Sequence, residues 1–429
     1  MQDRVAAAAA GSGEDRPDGA RGRTRCRFCG GGLHPVVDLG LSPPCESFVP
    51  PERAGAGEMF HPLDVRICGD CRLMQIGEYV PVREIFDEYA YFSSYSETWV
   101  AHARDHVATM AARLGLGPDS FVVEVASNDG YLLREVTARG IPCLGIEPAA
   151  NVARTAVARG VPTRVAYFGR ALADELADEG RTADLVVANN VLAQVPDLND
   201  FVAGLARILK PDGVLTIEVP HLLRLIAETQ FDTIYHEHFS YFSLATSERI
   251  LAAHGLRVFD VDLLPTHGGS LRLHVCHAAS ARDVGEALDR VRRAEAEAGL
   301  DAVATYADFA RRVERTKRRL VRLLGDLKEE GRRIVGYGAP GKGNTLLNYC
   351  GIRTDLVDFT VDRNPYKHGR LLPGTRIPVL PPERLDAARP DVVLILPWNL
   401  KEEIMRQLDH VRGWGGRFLV PIPEPRLLG

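Results

Sequence analysis

Phe121-Val122-Val123-Glu124-Val125-Ala126-Ser127-Asn128-Asp129-Gly130-Tyr131-Leu132 is the stretch that decides the fold class. Phe121 to Val125 reads as a buried strand, Ala126 to Gly130 as a turn of small residues, and Tyr131 to Glu135 as the start of a helix. A strand, a tight turn and a helix N-terminus form a nucleotide crevice at the carboxyl edge of a parallel sheet. A second strand, Cys143 to Ile146, ends in Glu147, seventeen residues after Gly130, where an acid can bond both ribose hydroxyls of an adenosine. Strand Asp184 to Ala188, helix Leu198 to Leu209, turn Pro211-Asp212-Gly213 and strand Val214 to Val219 follow. This alternation implies a doubly wound α/β domain. The first turn has only Gly130 where a dinucleotide fingerprint needs three glycines, so a pyrophosphate has less room. S-adenosylmethionine, which has no phosphate, fits that turn better.

Working outward, 429 residues exceed one ordinary core, and about 150 residues per domain suggests about three. The apolar share of 45% and charged share of 25% are those of a soluble globular chain. A net charge of −5 argues against a nucleic-acid partner, because phosphate binding needs clustered Lys and Arg. Residues 1–22 lack apolar periodicity and are expected to be a disordered tail. Ala6 to Ala10 is too short for a signal-peptide core, and no segment approaches the ~18 apolar residues of a membrane span. A cytoplasmic protein without a membrane partner is expected, as monomer or homodimer. The remaining divisions are a zinc-binding module over 23–82, a methyl-donor domain over 83–277 and a C-terminal domain over 278–429.

Cys26-Arg27-Phe28-Cys29 and Cys68-Gly69-Asp70-Cys71 are two C-x-x-C pairs. Two residues between thiolates let one turn present both sulfurs to a tetrahedral ion. Four cysteines close the coordination sphere, so a structural Zn2+ is expected on Cys26, Cys29, Cys68 and Cys71. Cys45, His34 and His61 lie between the pairs without a paired partner and read as bystanders. Cys143, Cys276 and Cys350 sit in apolar runs and read as core thiols.

Tyr235-His236-Glu237-His238 places a phenol, two imidazoles and a carboxylate side by side, a density that suggests proton transfer. A satisfied polar turn is the plainer alternative. Further motifs are Tyr89-Ala90-Tyr91-Phe92-Ser93-Ser94-Tyr95-Ser96, Ala188-Asn189-Asn190-Val191-Leu192-Ala193, Tyr235 to Ser243, His267-Gly268-Gly269-Ser270-Leu271-Arg272 and Gly336 to Thr345. With the C-x-x-C pairs and Glu124 to Leu132, the chain from about Cys26 to Pro423 resembles the three-domain sugar C-methyltransferases of deoxysugar biosynthesis.

That resemblance implies S-adenosylmethionine held by Glu124, Ala126, Asn128, Asp129, Gly130, Glu147, Asn189 and Asn190. It implies His238 as base with Glu237 and Tyr235 beside it, and Tyr89, Gln194, His236, Lys342 and Tyr337 on the sugar side. The substrate would be a nucleotide-linked 4-keto-deoxyhexose, a thymidine-diphosphate sugar methylated at C-3. One position departs from the family: its Asn-Val-Leu-Ala-His-Val-Pro appears here as Asn190-Val191-Leu192-Ala193-Gln194-Val195-Pro196. An amide can bond a sugar hydroxyl but cannot exchange a proton near neutrality, which bears on the substrate, the methylated carbon or the outcome.

Ala278 to Glu330 is rich in Arg, Glu and Ala at helical spacing. Arg333 to Tyr337 reads as a strand entering a loop with glycines at 336, 338, 341 and 343, and a second strand ends near Asp362. Glycines 336, 338 and 341 satisfy G-x-G-x-x-G with an acid about twenty residues on, so an NAD-dependent oxidoreductase is the alternative reading. Lys342 within the loop could instead meet a diphosphate as a point charge. A binding protein without turnover is a third. His368, Arg370 and Trp398 read as surface residues. The expected architecture is α/β: a zinc-binding module, a class I methyltransferase Rossmann-like middle domain, and a C-terminal Rossmann-like domain.

Overall fold

The computed structural model describes residues 25–87, 89 and 92–429; the tail expected over 1–22 lies outside them, as do Ala90 and Tyr91. Three sheets organise the described residues. The first is antiparallel and runs β1 (Leu33–Ser42), β2 (His61–Cys68), β3 (Met74–Ile76), β9 (Ser240–Tyr241). The second runs β10 (Leu256–Leu264), β11 (Ser270–His277), β8 (Leu209–Pro220), β7 (Ala183–Asn189), β4 (Val122–Val125), β5 (Cys143–Ile146), β6 (Thr163–Arg164). The third runs β14 (Val379–Leu380), β13 (Thr360–Val361), β12 (Ile334–Tyr337), β15 (Val392–Ile395), β16 (Arg417–Val420), β17 (Arg426–Leu428).

In the second sheet β8, β7, β4, β5 and β6 are parallel, and β11 and β10 add an antiparallel edge. β4 and β5 are buried throughout, β7 nearly so and β8 from Gly213 to Val219, because helices cover both faces; hence these stretches are rich in Val, Ile and Leu. The chain leaves β4 for β5 and returns on the other side at β7, so a switch point opens between β4 and β7. The third sheet repeats this arrangement, going from β12 to β13 and returning at β15.

The α/β reading is borne out, with shifted edges. The helix expected from Tyr131 starts at Leu133, because Ala126, Asn128 and Gly130 take φ of 58°, 49° and 77° and prolong the turn. Pro211-Asp212-Gly213 is carried inside β8 as an irregular stretch. The helix Glu97–Leu114 starts where Ser96 accepts from Trp99 N, and ends at Gly115, whose φ of 62° suits a residue without a Cβ. Among the described residues no helix is long and apolar enough to cross a membrane.

The cores do not follow the order of the chain. Val65, Ile67 and Ile76 of the first sheet, Phe231 and Ile234 from the middle stretch, and Phe309, Leu346 and Val393 from the C-terminal part share one apolar cluster. β9 is hydrogen-bonded to β3, so the middle stretch also completes the first sheet. The long helix Val303–Glu329 packs on β1 and on the helix Gly341–Cys350, and Val49 bridges to Leu371.

The four C-x-x-C thiols converge beside this sheet, their sulfurs all within 4.8 Å of one another. Cys26–Cys71 and Cys29–Cys68 are 3.5 Å apart, near the ~3.8 Å edge of a tetrahedron built on Zn–S bonds of about 2.3 Å. Asp70 N and Cys71 N donate to Cys68 Sγ, and Gln75 Nε2 to Cys26 Sγ, the polar contacts a thiolate needs. The thiols fit a structural zinc. His34, His61 and Cys45 stay out of the cluster.

Two outcomes follow from this packing. Metal analysis should return about one zinc per chain, lost in Cys68→Ser together with the order of β1–β3; protein purified without chelator and lacking zinc would refute the site. Phe309→Ala, emptying a fully buried position of the shared cluster, should cost about 3–5 kcal/mol. Hydrogen exchange should then quicken in β1–β3 and β12 together, whereas quickening confined to the C-terminal part would show separate cores.

Candidate active site

The switch points of the two parallel sheets face one cavity of about 990 Å³. Ala126 and Asn128 after β4, Glu147 and Pro148 after β5, and Asn190 and Val191 after β7 line one side. Gly338 and Pro340 to Lys342 after β12, Arg363 after β13, and Pro397 and Asn399 after β15 line the other. Tyr235, Glu237 and His238 enter between them. A cavity at the upper end of the usual ligand range leaves room for two molecules.

On the first side the backbone is strained where it meets the cavity. Ala126, Asn128 and Asn190 all have positive φ, of 58°, 49° and 53°, a region non-glycine residues enter at a cost of order 1–3 kcal/mol and which concentrates at functional sites. Glu147 holds the turn in place, one carboxylate oxygen accepting from Asn128 N and the other from Ala149 N, each at 2.9 Å. Burial pushes its carboxyl up, and these amide bonds pull it back. The side-chain N and O atoms of Asn189 and Asn190 are buried without protein partners. Unpaired buried amides are costly, and here they border the space where a polar ligand would satisfy them. Ile146, Val191, Phe168 and Phe201 supply an apolar wall, the last two rings edge-to-face at 5.5 Å. The donor set fits S-adenosylmethionine.

Three expected cofactor residues lie off the wall. Glu124 is buried within β4, its carboxyl pushed well up by burial and by Glu147. Asp129 pairs with Arg159 at 2.8 Å and accepts from Ser94 Oγ, so it braces the turn. A Cβ on Gly130 would meet Val161 at 2.9 Å, so the missing side chain serves packing.

On the second side Glu237 accepts from Tyr89 Oη at 3.0 Å and from Cys45 Sγ at 3.3 Å. Burial and then Glu46 push its carboxyl up to about 7. His238 Nδ1 lies 3.0 Å from the Thr233 carbonyl, which can only accept, so Nδ1 carries the proton. Nε2 therefore holds the lone pair, and Tyr235 Oη donates to it at 3.0 Å. Burial, with His267 and Lys342 nearby, pushes the imidazole down to about 3, so it is neutral at ordinary pH. His236 belongs elsewhere: its Nε2 reaches the His61 carbonyl at 3.3 Å and its ring is buried off the cavity, so the expected substrate contact is corrected to a structural one. Tyr89, Gln194, Tyr337 and Lys342 do line the cavity.

Other residues enter unannounced. Cys45, a bystander to the metal, abuts Glu237 across 192 positions of sequence. Glu46 pairs with Lys367 at 3.2 Å, and Lys367 also donates to the Ala339 carbonyl. His267 takes φ 54°, ψ 20° and faces the cavity. A histidine followed by two glycines was the available sign of that unusual turn. Trp398, read as a surface residue, is 5% exposed and donates to Asp232 Oδ2 at 2.6 Å. His368 is partly buried against the Asp362 carbonyl, and Arg370 is exposed.

Three family models match consecutive parts of the chain: a zinc binding domain over 26–86, a methyltransferase domain over 99–261, and a C-methyltransferase C-terminal domain over 265–423. C-methyltransferase NovU of Streptomyces niveus is 37% identical over 404 residues, spanning 94% of this chain and 96% of its own. A ubiquinone biosynthesis O-methyltransferase of Rhizobium etli is 28% identical over 153 residues, spanning 32% of this chain and 60% of its own. The solved magnesium protoporphyrin IX methyltransferase of Synechocystis aligns with 44% of this chain and 86% of its own, at 16% identity and a TM-score of 0.33. With donor crevice, metal module and C-terminal domain all matched, the chain belongs to the three-domain, S-adenosylmethionine-dependent C-methyltransferase family.

Proposed function

We propose that the protein methylates a ring carbon of a nucleotide-linked 4-keto-deoxyhexose, a thymidine-diphosphate sugar at C-3, through an enolate formed with His238 as the base. The observation that carries this is the tautomer of His238, whose protonated Nδ1 is tied to the Thr233 carbonyl while Nε2 keeps a lone pair in the cavity. That lone pair lies between the donor crevice and the C-terminal loop, where a sugar carbon would meet a methyl group. Burial keeps the imidazole neutral, with Nε2 unprotonated, at ordinary pH. Protonation becomes favourable once negative charge develops on the substrate beside it.

A ketone makes the neighbouring C–H acidic by spreading charge onto oxygen. S-adenosylmethionine supplies the electrophilic methyl group, and the enzyme contributes alignment. Tyr235, released from Nε2 as substrate enters, can turn its hydroxyl toward a sugar oxygen. Glu237, with Tyr89 and Cys45 on its two oxygens, is a fixed acceptor for a sugar hydroxyl. Glu147, Asn189 and Asn190 take the polar groups of the donor, Glu147 the ribose. Gln194 occupies the position of the family's histidine on the cavity wall, and its amide selects among sugars by hydrogen bonding.

Labelled S-adenosylmethionine and a panel of nucleotide-linked 4-keto-hexoses, read by mass spectrometry, should give a product gaining one methyl group on carbon; no product from any sugar would refute the substrate class. His238→Asn should lower the rate by ~10²–10⁴ and abolish uptake of solvent deuterium next to the ketone, while donor affinity stays unchanged. His236→Asn should keep that exchange, and the reverse pattern would exchange their roles. Glu147→Ala should weaken S-adenosylmethionine binding by about 1.5–3 kcal/mol; unchanged affinity in calorimetry would move the ribose elsewhere.

A further inference from the structure

The cations on the cavity wall among the described residues are Arg83, Lys342, Arg363 and Lys367. Arg83 and Arg363 are exposed, and Lys367 is paired with Glu46. Lys342 differs from all three. Its ammonium donates to Asn399 Oδ1 at 2.8 Å and lies 4.9 Å from the centre of the Trp398 ring, a neutral acceptor and a π face. Among the described residues no carboxylate lies within ion-pair distance of it, and the acid nearby, Asp232, is held by Trp398 Nε1 instead. An ammonium has three protons, and one is committed to Asn399. Burial pushes this group down, so the protein supplies less than a full counter-charge.

Its position is fixed relative to the base. Lys342 opens the helix Gly341–Cys350, where unpaired N–H groups add positive potential. That helix is fastened by Thr345 Oγ1 to the Ile234 carbonyl at 3.1 Å, next to Tyr235, and by Asn344 Nδ2 to the Cys45 carbonyl at 2.6 Å, next to Glu46. Trp398, which carries Lys342 on its ring, also abuts the His267 loop: a Cβ on Gly268 would meet it at 2.7 Å. Lys342 thus lies near enough to His238 and His267 to add to burial in pushing both imidazoles down, and all three line the cavity.

We infer that Lys342 is a catalytic residue that holds the ketone oxygen of the substrate and stabilises the enolate formed there. This rests on the reaction proposed above and reassigns Lys342 from a diphosphate contact. His238 Nε2 takes the proton from the carbon beside the ketone, and the C–H electron pair forms the C=C bond. The carbonyl π pair moves onto oxygen, where an uncommitted proton of Lys342 donates a hydrogen bond. The pair then returns to restore C=O, the carbon bonds to the methyl group, and the S–CH3 bond breaks to leave a neutral thioether. Lys342 ends as it began. The same cation opposes a lone imidazolium at His238, but an enolate between them attracts both, so the charge is favoured only as the reaction proceeds.

The test uses the full chain with S-adenosylhomocysteine bound, thymidine-diphosphate 4-keto-6-deoxyhexose as substrate, and thymidine diphosphate alone as a binding probe. Lys342→Gln and the length-matched Lys342→Met should lower deuterium exchange next to the ketone by ~10²–10³, the usual effect of removing one oxyanion donor. Thymidine diphosphate and S-adenosylhomocysteine affinities should stay within about twofold, which also reports correct folding. A parallel fall in thymidine diphosphate affinity would return Lys342 to the diphosphate, and exchange at the wild-type rate would overturn its role. If both variants fail to fold, Asn399→Ala leaves the helix intact and should slow exchange by releasing the ammonium; unchanged exchange would count against the inference. Wild-type protein that exchanges no deuterium would refute the reaction itself, whereas active wild-type and equally active variants would refute Lys342 alone.

Discussion

Two side-chain bonds from one helix tie together the segments that line the cavity. Asn344 and Thr345, neighbours on the helix Gly341–Cys350, donate to the carbonyls of Cys45 and Ile234, which lie in separate parts of the chain. Both residues are buried, so these bonds form where water cannot compete, and leaving the carbonyls unpaired would cost more than an exposed bond is worth. They set the loop after β12 at a fixed distance from Tyr235, Glu237 and His238. They also bring the segment after β1 into contact with Glu237. The zinc module thus reaches the site through Cys45 and Glu46 although none of its four metal thiols lines the cavity.

Low dielectric then determines which groups carry charge. Burial pushes His238 and His267 down to about 3 and about 4, and Glu237 up to about 7. Each shift favours the neutral form, as expected when a group is taken from water without an opposite charge in contact. Against burial, Glu46 holds Lys367 charged, while burial still pushes the Glu46 carboxyl up. Beside His238 a developing negative charge therefore meets neutral imidazoles and the nearby Lys342, an arrangement suited to chemistry through an enolate.

Strain accumulates around the same space. Ala126, Asn128, Asn190 and His267 all have positive φ, and all line the cavity. Two of them are braced by side chains: the amide of Asn128 by Glu147, and the loop of His267 by Thr266 Oγ1 on Glu218 and by Gln230 Nε2 on the Gly268 carbonyl. Buried acids such as Glu218, paired with Arg272 and His102, act as struts beneath the site.

Local patterns were readable without coordinates. Short apolar runs marked β4, β5, β7 and β8, paired cysteines marked the metal module, and Tyr235 to His238 announced a cluster of proton-carrying groups, because each depends on residues a few positions apart. What spacing could not convey was which members of a motif face the ligand. Glu124, Asp129 and Gly130 sit in the right motif but behind the wall, and His236 turns to His61 while both its neighbours line the cavity. Cys45 meets Glu237, and Lys342 joins His238 on one cavity wall, only because one shared core folds the first and last parts of the chain around the middle. Sequence by itself determined the elements and the chemistry on offer, since these follow from backbone geometry and side-chain type. The tertiary structure alone decided their company and their protonation, since both depend on long-range packing and on the water it excludes.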